Sequence, residues 1–264
     1  MYLCPLCQQP LLLTDNYYQC ANRHSFDLAR EGYVNLLPVQ QKNSKDPGDN
    51  KAMMQARRSF LQAGWYAPLA KAVTTMLAPL PAHSILDLGC GEGYYTAFIK
   101  QARPQSQLYG VDISKSAIKF AAKANRDIQF SVASAYQLPF ADSSFDAIVR
   151  IYAPSKASEL QRLVKTGGYL LTVTPGPEHL VQIKQAVYDS VRLHDDAVAQ
   201  IDGFEHSKRQ RLQFTLHFSR SEDVQALVQM VPLAWKFSAA QMQQFADGLP
   251  AISVDFLLDL YQRS

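Results

Sequence analysis

Apolar and polar positions in the central part of the chain follow a pattern that changes repeatedly from strand to helix. Residues 85–88, 108–112 and 128–132 are short apolar runs bounded by polar or glycine-containing segments, which is typical of buried strands. The intervening segments, about 94–102 and 115–125, carry apolar residues at helical spacing. Strands that alternate with helices in this order predict an α/β domain built on a parallel sheet.

The pattern continues toward the C-terminal end of the sequence. We predict a fourth strand at 147–151 and a fifth at 169–174, with a Gly167-Gly168 turn before the fifth. The remaining predicted elements are a strand at 212–218, helices at 222–230 and 239–246, and a last strand at 252–260.

The segment before the first strand predicts a linker and two helices. Residues 40–50 are polar and contain a turn signal at 46–49, and Asp49 or Asn50 is a suitable cap for a helix from about 51 to 63. A second helix follows, and both are expected to lie over the mouth of a site at the strand ends. Arg57-Arg58 on the first helix is either a phosphate contact or part of a solvated face.

A glycine-rich turn, Asp87-x-Gly89-x-Gly91-x-Gly93, follows the first strand. Glycines at every second position let the backbone turn sharply and approach a ligand closely. The next helix then points its N-terminal amides at that ligand. A dinucleotide-binding fold would place its third glycine at position 94, where this chain has Tyr94. The spacing instead resembles the S-adenosylmethionine loop of class I methyltransferases, and Glu92 belongs to the same loop.

Two further segments fit this resemblance. Asp112 ends the second strand about twenty residues after the loop, where a carboxylate typically accepts hydrogen bonds from ribose hydroxyls. Residues 133–146, Ala-Ser-Ala-Tyr-Gln-Leu-Pro-Phe-Ala-Asp-Ser-Ser-Phe-Asp, resemble a run found in many small-molecule and RNA methyltransferases. Family members often have Asp where this chain has Ser134, at the position expected to contact the adenine amino group.

Four residues of metal-ligand type, Cys4, Cys7, Cys20 and His24, lie near the N-terminus. A Cys-x2-Cys pair followed after twelve residues by Cys-x3-His suits a tetrahedral zinc site without an open position. A disulfide is disfavoured, because no export signal is present and the remaining cysteine, Cys90, lies in the glycine loop. We therefore expect one structural Zn²⁺, which supplies much of the folding energy of so short a unit.

Composition limits the size of the core, the cellular location and the kinds of partner that we expect, but it does not decide the function. A chain of 264 residues that is 47% hydrophobic can bury one core and a small appendage. It has no run of eighteen apolar residues, and its first twenty lack an apolar signal core, so we expect no membrane partner and a cytoplasmic location. The net charge of +3 permits a nucleic-acid partner. The densest basic run, 206–211, is either a phosphate contact or an exposed loop without a partner.

Several segments, taken in order, resemble one family along essentially the whole chain. They are the Cys-x2-Cys knuckle and residues 31–38, 46–49, 54–58 and 89–96. Together they are similar to the bacterial 23S rRNA (guanine-N1)-methyltransferases of the RlmA type, most of all to the form typical of Gram-negative bacteria. The resemblance implies methyl transfer from S-adenosylmethionine to one guanine of a 23S rRNA hairpin, a zinc-binding domain that helps to grip the RNA, and a homodimer. A sister group linked to macrolide resistance modifies a neighbouring guanine, and the motifs do not separate the two.

The fold that the resemblance implies is α/β, with a class I (Rossmann-like) S-adenosylmethionine-dependent methyltransferase domain and a small N-terminal zinc-binding domain. We divide the chain into a zinc-binding RNA-recognition domain (1–37), a linker (38–50) and the methyltransferase domain (51–264). The strand predicted at 252–260 is then the antiparallel seventh strand of this class.

The resemblance also assigns residues to the cofactor pocket. Tyr66 and His179 match a tyrosine and a histidine associated with that pocket in the family. The full predicted cofactor set is Tyr66, Asp87, Gly89, Gly91, Glu92, Gly93, Tyr94, Asp112, Ser134 and His179.

The catalytic residue is left open between two candidates. Tyr152 follows the fourth strand, where N-methyltransferases orient the base, although Pro154 there is also explained as a simple strand terminator. The imidazole of His179 is also able to accept a proton near neutral pH.

Two competing functions remain at this point. One is a small-molecule methyltransferase in which the zinc knuckle serves only stability or dimerisation. The other is a non-catalytic RNA-binding or ribosome-assembly factor. The intact Asp87, glycine loop and Asp112 argue against the second.

Overall fold

The computed structural model describes residues 2–41 and 51–264, so the turn predicted at 46–49, the helix cap at 49–50 and most of the predicted linker lie outside the described residues. No helix in these two ranges is both long and apolar enough to cross a membrane. The strands and helices are β1 (Leu12–Thr14), β2 (Tyr17–Gln19), β3 (Ser25–Asp27), β4 (Tyr33–Asn35), α1 (Lys51–Gln62), α2 (Ala67–Leu77), β5 (Ser84–Leu88), α3 (Tyr94–Ala102), β6 (Gln107–Asp112), α4 (Lys115–Ala124), β7 (Gln129–Val132), β8 (Phe145–Ile151), α5 (Ala157–Leu163), β9 (Val164–Pro175), α6 (Val181–Gln185), β10 (Phe204–Leu216), α7 (Ser221–Met230), α8 (Ala239–Asp247) and β11 (Ile252–Arg263).

One large sheet carries eight of these strands in the order β10-β11-β9-β8-β5-β6-β7-β4. Neighbouring strands from β9 to β4 run parallel. Strand β11 runs antiparallel to both β9 and β10. This arrangement confirms the predicted class I sheet with its antiparallel seventh strand. Strands β1, β2 and β3 form a separate small antiparallel sheet.

The apolar runs of the central strands explain where the core lies. Side chains of β5 such as Ile85 and Leu86 are fully buried, because both faces of the sheet are covered. Helices α1 to α4 and α7 contribute to one buried cluster, and the N-terminal unit and α5 contribute to the other. Helix α4 begins where the sequence predicts, since the Ser114 hydroxyl accepts a hydrogen bond from the amide of Ala117.

Strand β9 begins earlier than predicted, at Val164, and the expected turn at Gly167-Gly168 is a bulge within it. Phe145 of β8 pairs with Val164, but Ala147, two residues on, already pairs with Tyr169. The extra residues of β9 between these pairs are not paired in register with β8. Gly167, one of them, has a φ of +75°.

The basic run 206–211 lies inside β10, so of the two alternatives the exposed loop without a partner is wrong. Arg209 donates to Asp259 through Nε and Nη2 at 2.7 and 2.8 Å. Arg211 donates to Asp255 through Nε and Nη2 at 2.9 and 2.7 Å. Both aspartates are buried, and the arginines provide the partners that buried carboxylates require.

The N-terminal unit packs directly on the large domain. The amide of Leu3 donates to the carbonyl of Pro139 at 2.9 Å. The ring of Tyr2 contacts Phe140 and Tyr109 with centroid distances of 5.0 and 6.0 Å. Strand β4 then pairs parallel to β7. The domain boundary at residue 37 stays a prediction, with the added observation that β4, which precedes it, is part of the large sheet.

Candidate active site and metal centre

The glycine-rich turn between β5 and α3 is held tightly against its neighbours. Gly89, Gly91 and Gly93 have positive φ values of +73°, +56° and +80°. The amide of Gly89 donates to the carbonyl of Val111 at 2.8 Å. A Cβ at Gly89 would lie 2.3 Å from the Cβ of Ala153, whereas one at Gly91 would meet nothing within 4 Å. The turn therefore needs glycine at 89 for packing and offers bare backbone at 91 to a ligand.

Two aspartates stand beside this turn. Asp87 is buried and accepts a hydrogen bond from the hydroxyl of Thr96 at 2.5 Å. Asp112 accepts hydrogen bonds from the amides of Gly91 (3.0 Å) and Ser114 (2.8 Å), and a carboxylate has capacity for more. Burial raises the pKa of Asp87 from 3.8 to about 7, although the Thr96 hydroxyl opposes this shift. A cation bound beside the turn would therefore favour the ionised form of Asp87.

A narrow cleft opens at the same place. Burial raises the pKa of Glu92 to about 7, an effect that the nearby Arg57 and Arg58 oppose. Helix α1 supplies two of the lining side chains, in keeping with its predicted position over the mouth of the site. The lining residues are Met54, Arg57, Gly91, Glu92, Asp112, Ser114 and Ala117.

Aromatic side chains cluster next to the ends of β8 and β9. Tyr66 is buried and makes edge-to-face contacts with Phe60 and Phe256, at centroid distances of 4.9 and 5.1 Å. The Tyr66 hydroxyl and the indole N–H of Trp65 are buried and find no hydrogen-bond partner within 2–41 and 51–264. Buried polar atoms are normally paired, and a polar ligand at this place would supply the missing partner, as the predicted cofactor contact of Tyr66 requires.

His179 is buried between β11 and Tyr152. Its Nδ1 accepts a hydrogen bond from the backbone amide of Asp255 at 3.2 Å, and its Nε2 lies 3.5 Å from the Tyr152 hydroxyl. Because Nδ1 accepts, we assign the ring proton to Nε2. Burial lowers the pKa of His179 to about 3, and the positive charges of His194 and Lys184 add to this effect. The imidazole is therefore neutral, and its Nε2 is a donor toward Tyr152.

Tyr152 directly follows β8 and has a φ of +54°, in the left-handed region that non-glycine residues rarely adopt. Its amide donates to the carbonyl of Val173 at 3.2 Å, so strand pairing holds this conformation in place. The side chain is 46% exposed, while His179 and Phe256 flank its ring at 5.9 and 6.2 Å. A half-exposed ring fixed in this way is well placed to contact a planar substrate.

Asp255 is a residue of this site that the sequence patterns did not single out. Its carboxylate accepts hydrogen bonds from Arg211 and from the amide of Glu178 (3.0 Å), and its own amide orients His179. A Cβ at Gly176 would lie 2.4 Å from the Asp255 carboxylate, so the turn after β9 needs glycine there. The available signal was an aspartate inside an apolar strand, which must find a partner when it is buried.

Ser134 and Tyr94 complete the predicted cofactor set. The Ser134 hydroxyl accepts a hydrogen bond from the amide of Tyr136 at 3.3 Å. Tyr94 begins α3, where its ring packs at 5.1 Å against both Tyr95 and Phe98. Its buried hydroxyl is unpaired as far as the described chain extends. Contact of either residue with a cofactor stays a prediction.

The four predicted metal ligands come together in the N-terminal unit. The ligand atoms of Cys4, Cys7, Cys20 and His24 lie within 4.8 Å of one another, and all four cysteines of the chain are free thiols. The sulfurs of Cys7 and Cys20 are 3.6 Å apart, and His24 Nδ1 lies 3.4 and 3.5 Å from the sulfurs of Cys4 and Cys20. The usual zinc bond lengths require about 3.8 Å between sulfurs and about 3.6 Å between sulfur and nitrogen in a tetrahedron. The set thus fits a four-coordinate zinc ion.

Comparison with known proteins agrees with both sites. A zinc-ribbon model described as the N-terminal part of RlmA matches residues 2–45, and a methyltransferase-domain model matches residues 80–231. A Bacillus subtilis protein provisionally named a 23S rRNA (guanine-N1)-methyltransferase is 31% identical over 98% of this chain and 97% of its own length. The chain belongs to the 23S rRNA (guanine-N1)-methyltransferase family.

Other comparisons support the family and the fold separately. The 23S rRNA (guanine(748)-N1)-methyltransferase of Streptomyces fradiae is 30% identical over 94% of this chain and 91% of its own length. The crystal structure of the YcgJ protein of Bacillus subtilis has a TM-score of 0.50 at 17% identity and covers 74% of this chain and 97% of that chain, which shows the fold alone. This family member is therefore an S-adenosylmethionine-dependent methyltransferase with a structural zinc site, and both predictions are confirmed.

Replacement of Cys20 by alanine is expected to abolish zinc binding, because three remaining ligands leave the tetrahedron open and the short unit depends on the metal for its folding. Metal analysis of the purified protein should show loss of the bound zinc, and limited proteolysis should cut faster within residues 2–38. Cys90→Ala is the matched control, since Cys90 is a buried free thiol outside the cluster and its loss should leave the zinc in place. Full zinc retention in the Cys20 variant would contradict the assignment.

Proposed function

We propose that this protein transfers the methyl group of S-adenosylmethionine to N1 of one specific guanine in a hairpin loop of 23S rRNA. The observation that carries the proposal is the likeness to family members along almost the whole chain, zinc ribbon included. In a small-molecule enzyme the ribbon would serve only stability or dimerisation, whereas the relatives that share it over their full length are named for rRNA methylation. A non-catalytic assembly factor would have no need of an intact acid-and-glycine loop.

The residues of the loop fit the cofactor, which supplies a methyl group already activated on a sulfonium. The bare backbone at Gly91 leaves space for it, and the carboxylate of Asp112 lies at the end of β6, where a ribose diol would donate to it. Buried Asp87 becomes more stable in its ionised form next to a positive charge. The unpaired hydroxyl of Tyr66 provides a further donor in the pocket.

The substrate base must reach this site out of a base pair. N1 of guanine faces inward in a duplex, so the base has to come from a loop or be flipped out. Methylation would form a bond between N1 and the methyl carbon as the bond from that carbon to the sulfonium sulfur breaks, with its electron pair left on the sulfur, and the N1 proton would pass to solvent. Since the methyl group is already activated, the main task of the protein is to hold N1 in line with it.

In our proposal Tyr152 and His179 together position the base. The half-exposed ring of Tyr152 contacts the base, and the Nε2–H of His179 fixes the Tyr152 hydroxyl. A proton on Nδ1 of His179 would displace the amide of Asp255, and burial also disfavours the charged ring. His179 is then a positioning residue, and not the general base.

A cytoplasmic homodimer is the assembly that we propose, as the family resemblance implies. Analytical ultracentrifugation of the purified, zinc-loaded protein tests the oligomeric state directly.

The reaction is tested by primer extension along 23S rRNA from cells with and without the gene. A methyl group on guanine N1 blocks the Watson–Crick edge, so reverse transcriptase should stop one nucleotide before it. We expect a stop that is lost without the gene and restored by purified protein with S-adenosylmethionine. The position of the stop identifies the guanine. An unchanged pattern of stops would refute the proposal in favour of the small-molecule enzyme.

Two substitutions of His179 separate positioning from general-base chemistry. Gln can place an amide donor near the site of Nε2, whereas Asn can replace only the acceptor at Nδ1. We expect His179→Gln to retain a large part of kcat and His179→Asn to lower it by about tenfold or more, with similar KM for S-adenosylmethionine. If both variants lost activity equally and the pH profile lost an inflection, His179 would be the base instead.

The raised pKa of Asp87 predicts that cofactor affinity depends on pH. At pH 6 the free protein holds Asp87 mainly protonated, because its pKa is about 7. A bound cation favours the ionised form, so the affinity should rise from pH 6 to pH 8 and then level off, by at most about tenfold per pH unit. Thr96→Val removes the hydroxyl that favours ionisation and should move this rise to higher pH. Isothermal titration calorimetry measures both curves.

The same raised pKa of Asp87 makes the free energy of unfolding fall with rising pH, whereas the cofactor affinity rises. In the free protein the folded state keeps a proton that the unfolded chain has already lost, so the contribution of Asp87 to the free energy of unfolding decreases as pH rises from about 4 to about 7. Asp87→Asn serves as the control in both measurements and should reduce the pH dependence of both curves to the part that Glu92, whose pKa burial also raises to about 7, contributes. A cofactor affinity that is independent of pH in the wild-type protein would refute the role of Asp87.

A further inference from the structure

A second groove lies outside the cofactor site, between α4 and the segment that leads into β4. Four of its lining residues are cationic, one is acidic and one is aromatic. They are Arg30, Lys119, Lys123, Arg126, Glu31 and Phe120. The acidic residue, Glu31, lies 3.5 Å from Lys119 Nζ and 3.7 Å from Arg30 Nη2. The groove therefore keeps an excess of positive charge.

The charge pattern on α4 is unfavourable for the helix itself. Lys115, Lys119 and Lys123 recur at every fourth position and are all exposed, so they form one stripe on the helix surface. Like charges at this spacing repel each other and lower helix stability. An anionic partner along the stripe would relieve the repulsion that remains beside the Lys119–Glu31 ion pair.

The stripe is continuous with the mouth of the active site. The first turn of α4 reaches the cofactor cleft through Ser114 and Ala117. On the adjacent helix α1, Arg57 lines that cleft, and the guanidinium carbon of Arg58 lies 4.7 Å from the centre of the exposed Phe120 ring. Positive charge thus extends from the cleft along α4, whose ten residues span about 15 Å.

We propose that this groove binds the phosphate backbone of the RNA next to the guanine that enters the active site. The inference rests on the proposed function and specifies where the RNA lies. Lysine and arginine contacts to phosphates supply affinity and fix the register of a nucleic acid without reading its sequence. The other basic segment, on β10, is less suited, because Arg209 and Arg211 already pair with the buried Asp259 and Asp255.

The test compares two double variants that remove equal charge. Lys119→Gln/Lys123→Gln alters the groove, and Lys71→Gln/Lys208→Gln removes exposed lysines from α2 and from β10 at the opposite edge of the sheet. The probe is unmodified 23S rRNA transcribed in vitro, and binding to the full, zinc-loaded protein is measured between about 50 and 200 mM KCl. The Kd for S-adenosylmethionine serves as the check that each variant is folded.

Loss of two phosphate contacts should make the slope of log affinity against log salt shallower by about 1.4 to 1.8, because each contact contributes roughly 0.7 to 0.9. The KM for RNA should rise more than tenfold at about 0.1 M salt, with an unchanged Kd for S-adenosylmethionine. The control variant should keep the wild-type slope. An unchanged slope in the groove variant, or an equal change in the control, would overturn the inference.

If removal of Lys119 disturbs its ion-pair partner Glu31, the single variant Lys123→Gln tests the groove without that effect. It should give half the change in slope of log affinity against log salt.

Failure of the proposed function would give a different set of results. If primer extension finds no modified guanine while the groove variant still loses its salt slope, the groove binds RNA but the proposed reaction is wrong. If the wild-type protein methylates the RNA and the groove variant binds normally, only the groove assignment fails.

Discussion

The close packing of the glycine turn against the end of β8 is the constraint on which the active site depends. No side chain fits at Gly89, because Ala153 already occupies that space. The glycine loop, which we expect to receive the cofactor, and the segment that presents Tyr152 are therefore fixed relative to each other by direct contact. In our proposal this contact also sets the separation of the methyl donor from the base that accepts the methyl group.

Local signals in the sequence predicted the parts of the site that local structure determines. Helix α3 follows the glycine turn with the predicted bounds, and Ser114 caps α4, because such turns and caps depend on a few neighbouring residues. The zinc ligands were likewise predicted from their spacing alone. Contacts between distant strands were not predictable in this way. The bulge in β9 arises from its register with β8, and the tautomer of His179 depends on an amide 76 residues further along the chain.

The Leu-Pro-Phe segment, residues 138–140, serves two parts of the molecule at once. Its side chains Leu138 and Phe140 are buried in the same hydrophobic cluster as the N-terminal unit. The carbonyl of Pro139 and the ring of Phe140 also hold Leu3 and Tyr2 of the N-terminal unit. The metal-binding unit is thus attached to the loop region that follows β7 by a backbone hydrogen bond and a ring contact.

Strand β4 has a consequence for the way the chain is made and kept soluble. Its partner β7 lies almost a hundred positions later, with Tyr33 beside Phe130, so a ribosome releases β4 long before its partner exists. We expect metal binding to stabilise the N-terminal unit, which precedes β4, during this interval. Once paired, the three residues of β4 cover an edge of β7 that would otherwise present free backbone groups to other chains. A chain in which β4 fails to dock would leave this edge of β7 open to self-association.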